Sequence, residues 1–213
     1  MARLREVSLS EIKASGHKLG AHIYRMMFGD RDPVAEPGTP SGTSGDWWTV
    51  FALSPDTFDH ACGLFAYYQS PERELDPKLR ELGQMRAGWA CSSLFVYSQH
   101  RKAARDHGVP EEQIDAIAGW QVADCFSPVE RAVLAYTDAL ALGQGRVADD
   151  VFAVLHEHLS EVAILEFSYI IGSYIMHATT TRALRLEFDD VDDRMVEVPD
   201  PSGNFGGLFP GSP

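Results

Sequence analysis

The sequence has little with which to cross a membrane or bind nucleic acid. Although 45% of its 213 residues are hydrophobic, no apolar run reaches the roughly 18 residues that a membrane helix requires. The most apolar stretch, VAILEFSYIIGSYIM, contains Glu166, which favours a buried helix. Lys and Arg number 18 against 31 Asp and Glu, and the net charge of −13 opposes binding to phosphate backbones and anionic lipid. We therefore expect neither a nucleic-acid nor a membrane partner.

Cysteine is also scarce, with residues only at positions 62, 91 and 125. These three form no CxxC pair and no metal-binding spacing. The N-terminal residues MARLREVSLSEIKASGHK lack the apolar core and small-residue cleavage site of a secretory signal. The composition thus predicts reduced thiols in a cytoplasmic protein, without a metal site.

Helical signals dominate the sequence, and no stretch convincingly predicts a strand. One N-terminal helix is expected to begin near Ser8 or Ser10 and to be followed by the Pro/Gly-rich loop FGDRDPVAEPGTPSGTSGDWW. The adjacent Trp47 and Trp48 in this loop are expected to anchor it to the core, or else to cover a pocket or an interface. The sequence therefore predicts an all-α protein.

Further helix boundaries follow from Pro55 onward. One long helix is expected between Asp76 and Gly108, and Ser127-Pro-Val-Glu130 has the pattern of a capping box. A long final helix is predicted from Ser160 to about Phe188. We divide the chain into an N-terminal helix and loop (1–54), a helical core (55–188) and an acidic, then Pro/Gly-rich tail (189–213). The tail is expected to be extended or poorly ordered, or to bind a neighbouring subunit as an arm.

Two groups of polar residues have helical spacing. Ser93, Val96, Tyr97 and His100 fall on one face of the predicted long helix, although a histidine in this position is often only a satisfied core residue. In the final helix, His177 follows Tyr174 by one turn. These two residues would contribute to a pocket if the two helices pack together.

The same residues carry a family resemblance. Glu81 precedes Ser93 by twelve residues, and His100 is followed by ARDHGV and then by FSPVERAVLAYTDAL. From about Pro55 to Phe188 this pattern resembles the carboxymuconolactone decarboxylase superfamily, which includes the alkylhydroperoxidase AhpD. The resemblance implies an AhpD-like bundle of about seven to eight helices and a homo-oligomer, commonly a trimer or hexamer.

The peroxidase branch of that family uses a CxxC pair, aided by a glutamate and a histidine that match Glu81 and His100. Ser93 and Val96 stand where the two cysteines would be, and a serine and a valine cannot form a disulfide. Cys91 would lie roughly 200° away from Ser93 on a continuous helix, so it is not expected to replace them. The resemblance therefore points to the decarboxylase branch.

That branch implies a cofactor-free acid/base enzyme acting on a small oxygenated or carboxylated molecule by decarboxylation, isomerisation or lactone chemistry. His100, Glu81 and Tyr97 are the expected catalytic residues. Arg86 would hold a substrate carboxylate, or instead form a salt bridge at the surface or an interface. The remaining expected substrate-binding residues are Ser93, Val96, Tyr174 and His177. Two alternatives are a non-catalytic ligand-binding or assembly protein on the same fold and a residual alkylhydroperoxidase.

Overall fold

The structure, a computed structural model, describes residues 2–190, and every regular element in this range is helical. The all-α prediction is confirmed, but ten α-helices are present in the described range where seven to eight were expected. Their bounds are α1 Leu9–Ser15, α2 Lys18–Phe28, α3 Asp46–Phe51, α4 Pro55–Gln69, α5 Pro77–Ala90, α6 Leu94–Asp106, α7 Glu111–Ala116, α8 Pro128–Ala141, α9 Asp149–His158 and α10 Glu161–Leu184. Two 3-10 helices span Ile117–Val122 and Glu187–Asp190.

Several helices begin where the sequence predicts. Ser8 caps α1, and its hydroxyl and the Glu11 carboxylate form a reciprocal capping box. Ser127 and Glu130 form the same motif at the start of α8, with Pro128 in the first turn. These local signals are reliable because each satisfies backbone N–H groups that have no partner within the helix.

The predicted long helix between Asp76 and Gly108 is in fact two helices, α5 and α6. Ser92 has a φ of 55°, in the left-handed region, and so interrupts the helix. Ser93 then caps α6, its hydroxyl accepting a hydrogen bond from Val96 N at 3.2 Å. The two helices form a hairpin in which a Cβ added at Gly88 would lie 2.6 Å from the backbone N of Tyr97. Their close approach therefore requires glycine at position 88.

The described chain forms two compact units. The first contains residues 2–70 together with 181–190, and the second contains residues 71–180. The first unit includes α4, which packs against α2 and α3. Most of the predicted tail, residues 191–213, lies outside the described residues.

In the first unit, Trp47 and Trp48 lie in the short helix α3, whereas the sequence placed them in a loop. Both side chains are buried, and the Trp47 ring stacks on Phe51 with 4.1 Å between centroids. The Glu187 carboxylate accepts hydrogen bonds from Gly45 N and Trp47 N, at 3.0 and 2.9 Å. These contacts agree with an anchoring role for the two tryptophans.

In the second unit, α5 is the central helix. A Cβ added at Gly83 would collide with the rings and methyl groups of Phe167 and Ile171 on α10, so α5 and α10 are also in close contact. Helix α8 packs against α5 on another side, and α9 packs against α8. Because α5 packs against α6, α8 and α10, most of its polar side chains lie in the interior.

Helix α10 is buried on one side only. By length and composition alone the helix could span a membrane, but half of its most apolar 18-residue segment is buried within the protein. Glu166 is also buried, accepting hydrogen bonds from Arg73 Nη1 and Leu75 N, each at 2.9 Å. The exposed apolar residues of α10 are Val162, Leu165, Tyr169 and Met176, which we call the α10 stripe. The sequence did not predict this exposed face.

Candidate active site

The α5–α6 hairpin brings Glu81 into contact with His100. Glu81 Oε2 lies 2.7 Å from His100 Nδ1, and both side chains are buried. Because a carboxylate only accepts hydrogen bonds, Nδ1 must carry the hydrogen when Glu81 is ionised. In the neutral ring the other nitrogen, Nε2, then has the lone pair, and no hydrogen bond joins it to another residue within 2–190. This is the orientation that a general base requires.

Arg80 holds the other oxygen of the same carboxylate. Its Nε and Nη2 donate to Glu81 Oε1 at 3.1 and 2.8 Å. Nη2 also lies 3.0 Å from His107 Nε2, which accepts because a guanidinium only donates. Burial alone would raise the pKa of Glu81, but the neighbouring His100 and Arg80 outweigh it and hold that pKa below its usual value. Glu81 is therefore an anion at neutral pH.

Neither Arg80 nor His107 was predicted from the sequence. His107 follows His100 by seven residues, or two helical turns, so its spacing offered a signal. Arg80 offered none, since adjacent helical residues point in different directions, and only its long side chain lets it reach Glu81.

Helix α10 contributes Tyr174 and His177 to the same site. The rings of His100 and Tyr174 meet edge to face with 4.6 Å between centroids, and Tyr174 lies 5.8 Å from His177. Burial, together with the nearby charge of His100, lowers the pKa of His177 to about 3. His177 is therefore a neutral imidazole at physiological pH, so it offers hydrogen bonds but no positive charge.

The other expected residues of α6 are engaged elsewhere. Ser93 is the helix cap, so its hydroxyl is held against the backbone of Val96. The Tyr97 hydroxyl accepts a hydrogen bond from Arg101 Nη1 at 3.1 Å, and Arg101 in turn pairs with Asp115. The phenol is thus directed to a salt bridge, which does not support a catalytic role for Tyr97.

Of the two expectations for Arg86, the structure shows a salt bridge, which lies in the interior. Its Nε and Nη2 donate to Asp138 at 2.6 and 2.9 Å, and Nη1 donates to Ile117 O at 3.0 Å. The side chain is only 2% exposed, and the guanidinium also lies over the Trp89 ring. Arg86 therefore forms a buried salt bridge and has no spare donor edge for a substrate carboxylate.

The cysteines do not form a redox centre. All three are free thiols, and burial raises the pKa of each, that of Cys62 to about 12. Cys91 lies in the turn between α5 and α6, so the argument from helical rotation does not apply to it. Its raised pKa still makes it a poor nucleophile. Among residues 2–190, no three His, Cys, Asp or Glu side chains are placed to hold a metal ion.

Residues 55–139 match the carboxymuconolactone decarboxylase family. The chain is also 29% identical over 94 residues to the uncharacterised protein YdfG of Bacillus subtilis, in a match covering 44% of this chain. That match spans 64% of YdfG, less than two thirds of its length. A protein of unknown function from Agrobacterium tumefaciens, a candidate AhpD antioxidant defence protein, has a similar structure, with a TM-score of 0.58 at 26% identity. It aligns over 63% of this chain and 92% of its own.

Two structures of the debrominase Bmp8 share the fold. The apo form has a TM-score of 0.63 at 20% identity, covering 81% of this chain and 87% of the debrominase. A cysteine-to-alanine variant in complex with 2,3,4-tribromopyrrole has a TM-score of 0.65 at 18% identity, covering 87% and 92%. At these identities the likeness concerns the fold alone.

Proposed function

We propose that this chain, whose residues 55–139 match the carboxymuconolactone decarboxylase family, is an enzyme. The proposed activity is cofactor-free acid/base catalysis on a small oxygenated or carboxylated organic molecule. Decarboxylation, isomerisation and lactone chemistry all fit this description, because each moves a proton at or next to a carbonyl group.

The observation that carries the proposal is the contact between Glu81 and His100. With Nδ1 donating to Glu81 at 2.7 Å, Nε2 is the atom that takes a proton from the substrate. The imidazolium formed in that step is stabilised by the adjacent carboxylate, which Arg80 holds in place from the other side. His100 then returns the proton to complete the reaction, so the cycle needs no cofactor.

A non-catalytic role would be favoured if His100 were sealed in the interior and its ring were satisfied by a backbone carbonyl. The His100 side chain is buried. Its partner is instead an ionised carboxylate, the partner that supports proton transfer. A peroxidase role lacks support, because Ser93 and Val96 occupy the thiol positions and the three existing thiols have raised pKa values.

We also propose that the protein acts in the cytoplasm as a homo-oligomer, a trimer or a hexamer. The α10 stripe supports this proposal, since four large exposed apolar side chains spaced along one helix favour burial against another subunit. Light scattering at micromolar concentration tests it. A mass near the 23.5 kDa of one chain would contradict it.

The enzymatic proposal can be tested without knowing the natural reaction. The protein would be incubated in D₂O with a panel of small lactones, keto acids and carboxylated lactones, and deuterium uptake at carbon would be followed by NMR. We expect exchange or turnover of at least one compound with the parent and a loss of roughly 10²–10⁴-fold with His100→Gln. Equal rates for the two proteins would contradict the role of His100.

A further inference from the structure

Gln84 is a buried polar side chain that the mechanism above does not use. It is 0% exposed, and neither its Nε2 nor its Oε1 has a hydrogen-bond partner among the described residues. A buried amide without partners is costly, and most buried polar groups in proteins are hydrogen-bonded. The buried amide of Gln84 therefore does not stabilise the fold through hydrogen bonds, and another role has to explain it.

The direction of Gln84 follows from its neighbours on α5. Arg80 lies one turn before it and Gly88 one turn after it, so these three residues form one row on the helix surface. Arg80 contacts His107, the residue that follows α6, and Gly88 contacts the backbone of Tyr97 on α6. The row therefore faces α6, and Gln84 occupies its middle.

The level of Gln84 along α6 follows from the same contacts. The two helices are antiparallel, since Arg80 meets His107 and Gly88 meets Tyr97. Gln84 lies midway between Arg80 and Gly88, and the position midway between His107 and Tyr97 is residue 102, so Gln84 lies at the level of residues 101 and 102. Gln84 is therefore placed within one turn of His100 along the hairpin, and one turn from Glu81 on α5.

The charges around Gln84 limit what it can bind. Arg80 is engaged by Glu81, and Arg86 by Asp138, so both guanidinium groups of α5 already have anionic partners. A primary amide presents a donor and an acceptor side by side. The ligand group that matches it is neutral, with an acceptor next to a donor.

We propose that Gln84 is a ligand-binding residue of the site and recognises a neutral carbonyl flanked by an N–H or O–H group. Its Nε2 donates to the carbonyl oxygen and its Oε1 accepts from the neighbouring donor, inside the hairpin that also holds His100. The inference deepens the proposed function and rests on it for the identity of this site as the reaction centre. It selects neutral oxygenated ligands over carboxylates.

The first test compares two glutamines in the full-length protein without ligand. Gln113 is also buried, but its Nε2 donates to Cys125 O and Glu130 Oε2 at 2.8 and 3.0 Å. Gln84→Met removes an amide without partners and should leave the urea midpoint unchanged or higher, whereas Gln113→Met should lower it. A fall for Gln84→Met as large as that for Gln113→Met would overturn the proposal, since it would reveal a structural role.

The second test measures binding of 2-pyrrolidinone, whose ring amide places the carbonyl beside N–H, by saturation-transfer NMR. We expect binding to the parent and to His100→Gln, and a roughly tenfold loss with Gln84→Met, the size of one or two neutral hydrogen bonds. The carboxylated analogue 5-oxopyrrolidine-2-carboxylate should bind more weakly. Absent binding, equal binding to Gln84→Met, or tighter binding of the carboxylate would overturn the inference. Binding and turnover are measured separately. If binding depends on Gln84 but deuterium exchange does not depend on His100, only the proposed function is refuted.

Discussion

The buried imidazole of His177 makes a specific prediction about stability and pH. Its pKa falls to about 3 in the folded protein, because burial penalises the charged form and His100 lies nearby. The ordinary value of about 6.5 applies in the unfolded chain. Between these values the unfolded state binds more protons, so folding stability rises with pH. The contribution of His177 is thus complete above about pH 6.5 and is lost as the pH falls toward 3.

The size of the stability change follows from the pH range between the two pKa values of His177. Each pH unit inside it changes the free energy of unfolding by about 1.4 kcal/mol, so lowering the pH from about 7.5 to 5 should cost roughly 2 kcal/mol through His177 alone. His177→Gln keeps a similar size but cannot take up a proton. Urea denaturation at both pH values should therefore show a loss smaller by roughly 2 kcal/mol in this variant than in the parent.

The exposed His158 offers the control His158→Gln, which should lose as much stability as the parent. If His177→Gln and the parent lose equal stability, His177 is not a buried neutral imidazole.

Four further predictions address the site and its scaffold. Asp138→Asn leaves the buried guanidinium of Arg86 without its anion and should lower the free energy of unfolding by about 3–5 kcal/mol in denaturant titrations. Ser93→Ala removes the cap of α6 and should cost about 1 kcal/mol in the same assay, whereas a larger effect on activity than on stability would indicate a role in binding. Peroxide treatment followed by thiol labelling should reveal no intramolecular disulfide, and a bridge formed and reduced at a catalytic rate would refute the exclusion of peroxidase chemistry. His100→Gln and Glu81→Gln should each reduce turnover, and the double variant should lose much less than the product of the two effects, because both act on one proton.

The parts of the fold that were predictable are those set by local interactions. The capping boxes at Ser8 and Ser127 need only residues three positions apart, so the sequence located both helix starts. The break at Ser92 was not predictable in this way, because serine in the left-handed region is uncommon and the hairpin is favoured by packing at Gly88.

The candidate site shows the same limit. Helical spacing and the family resemblance indicated Glu81 and His100, which the structure brings into contact. The cation of the site was assigned to Arg86, but the residue beside Glu81 is Arg80. Choosing between two arginines six positions apart requires knowing that α8 brings Asp138 against α5, a tertiary contact that helical spacing does not reveal.

The most direct test of the account is the protonation state of His100, which can be read without any substrate. A long-range ¹H–¹⁵N NMR spectrum of the protein at a pH where the ring is neutral distinguishes the two ring nitrogens. The contact with Glu81 predicts a hydrogen on Nδ1 and a bare lone pair on Nε2, with the preference for this tautomer weakened in Glu81→Gln. A hydrogen on Nε2 and none on Nδ1 would contradict the assignment of His100 as the general base.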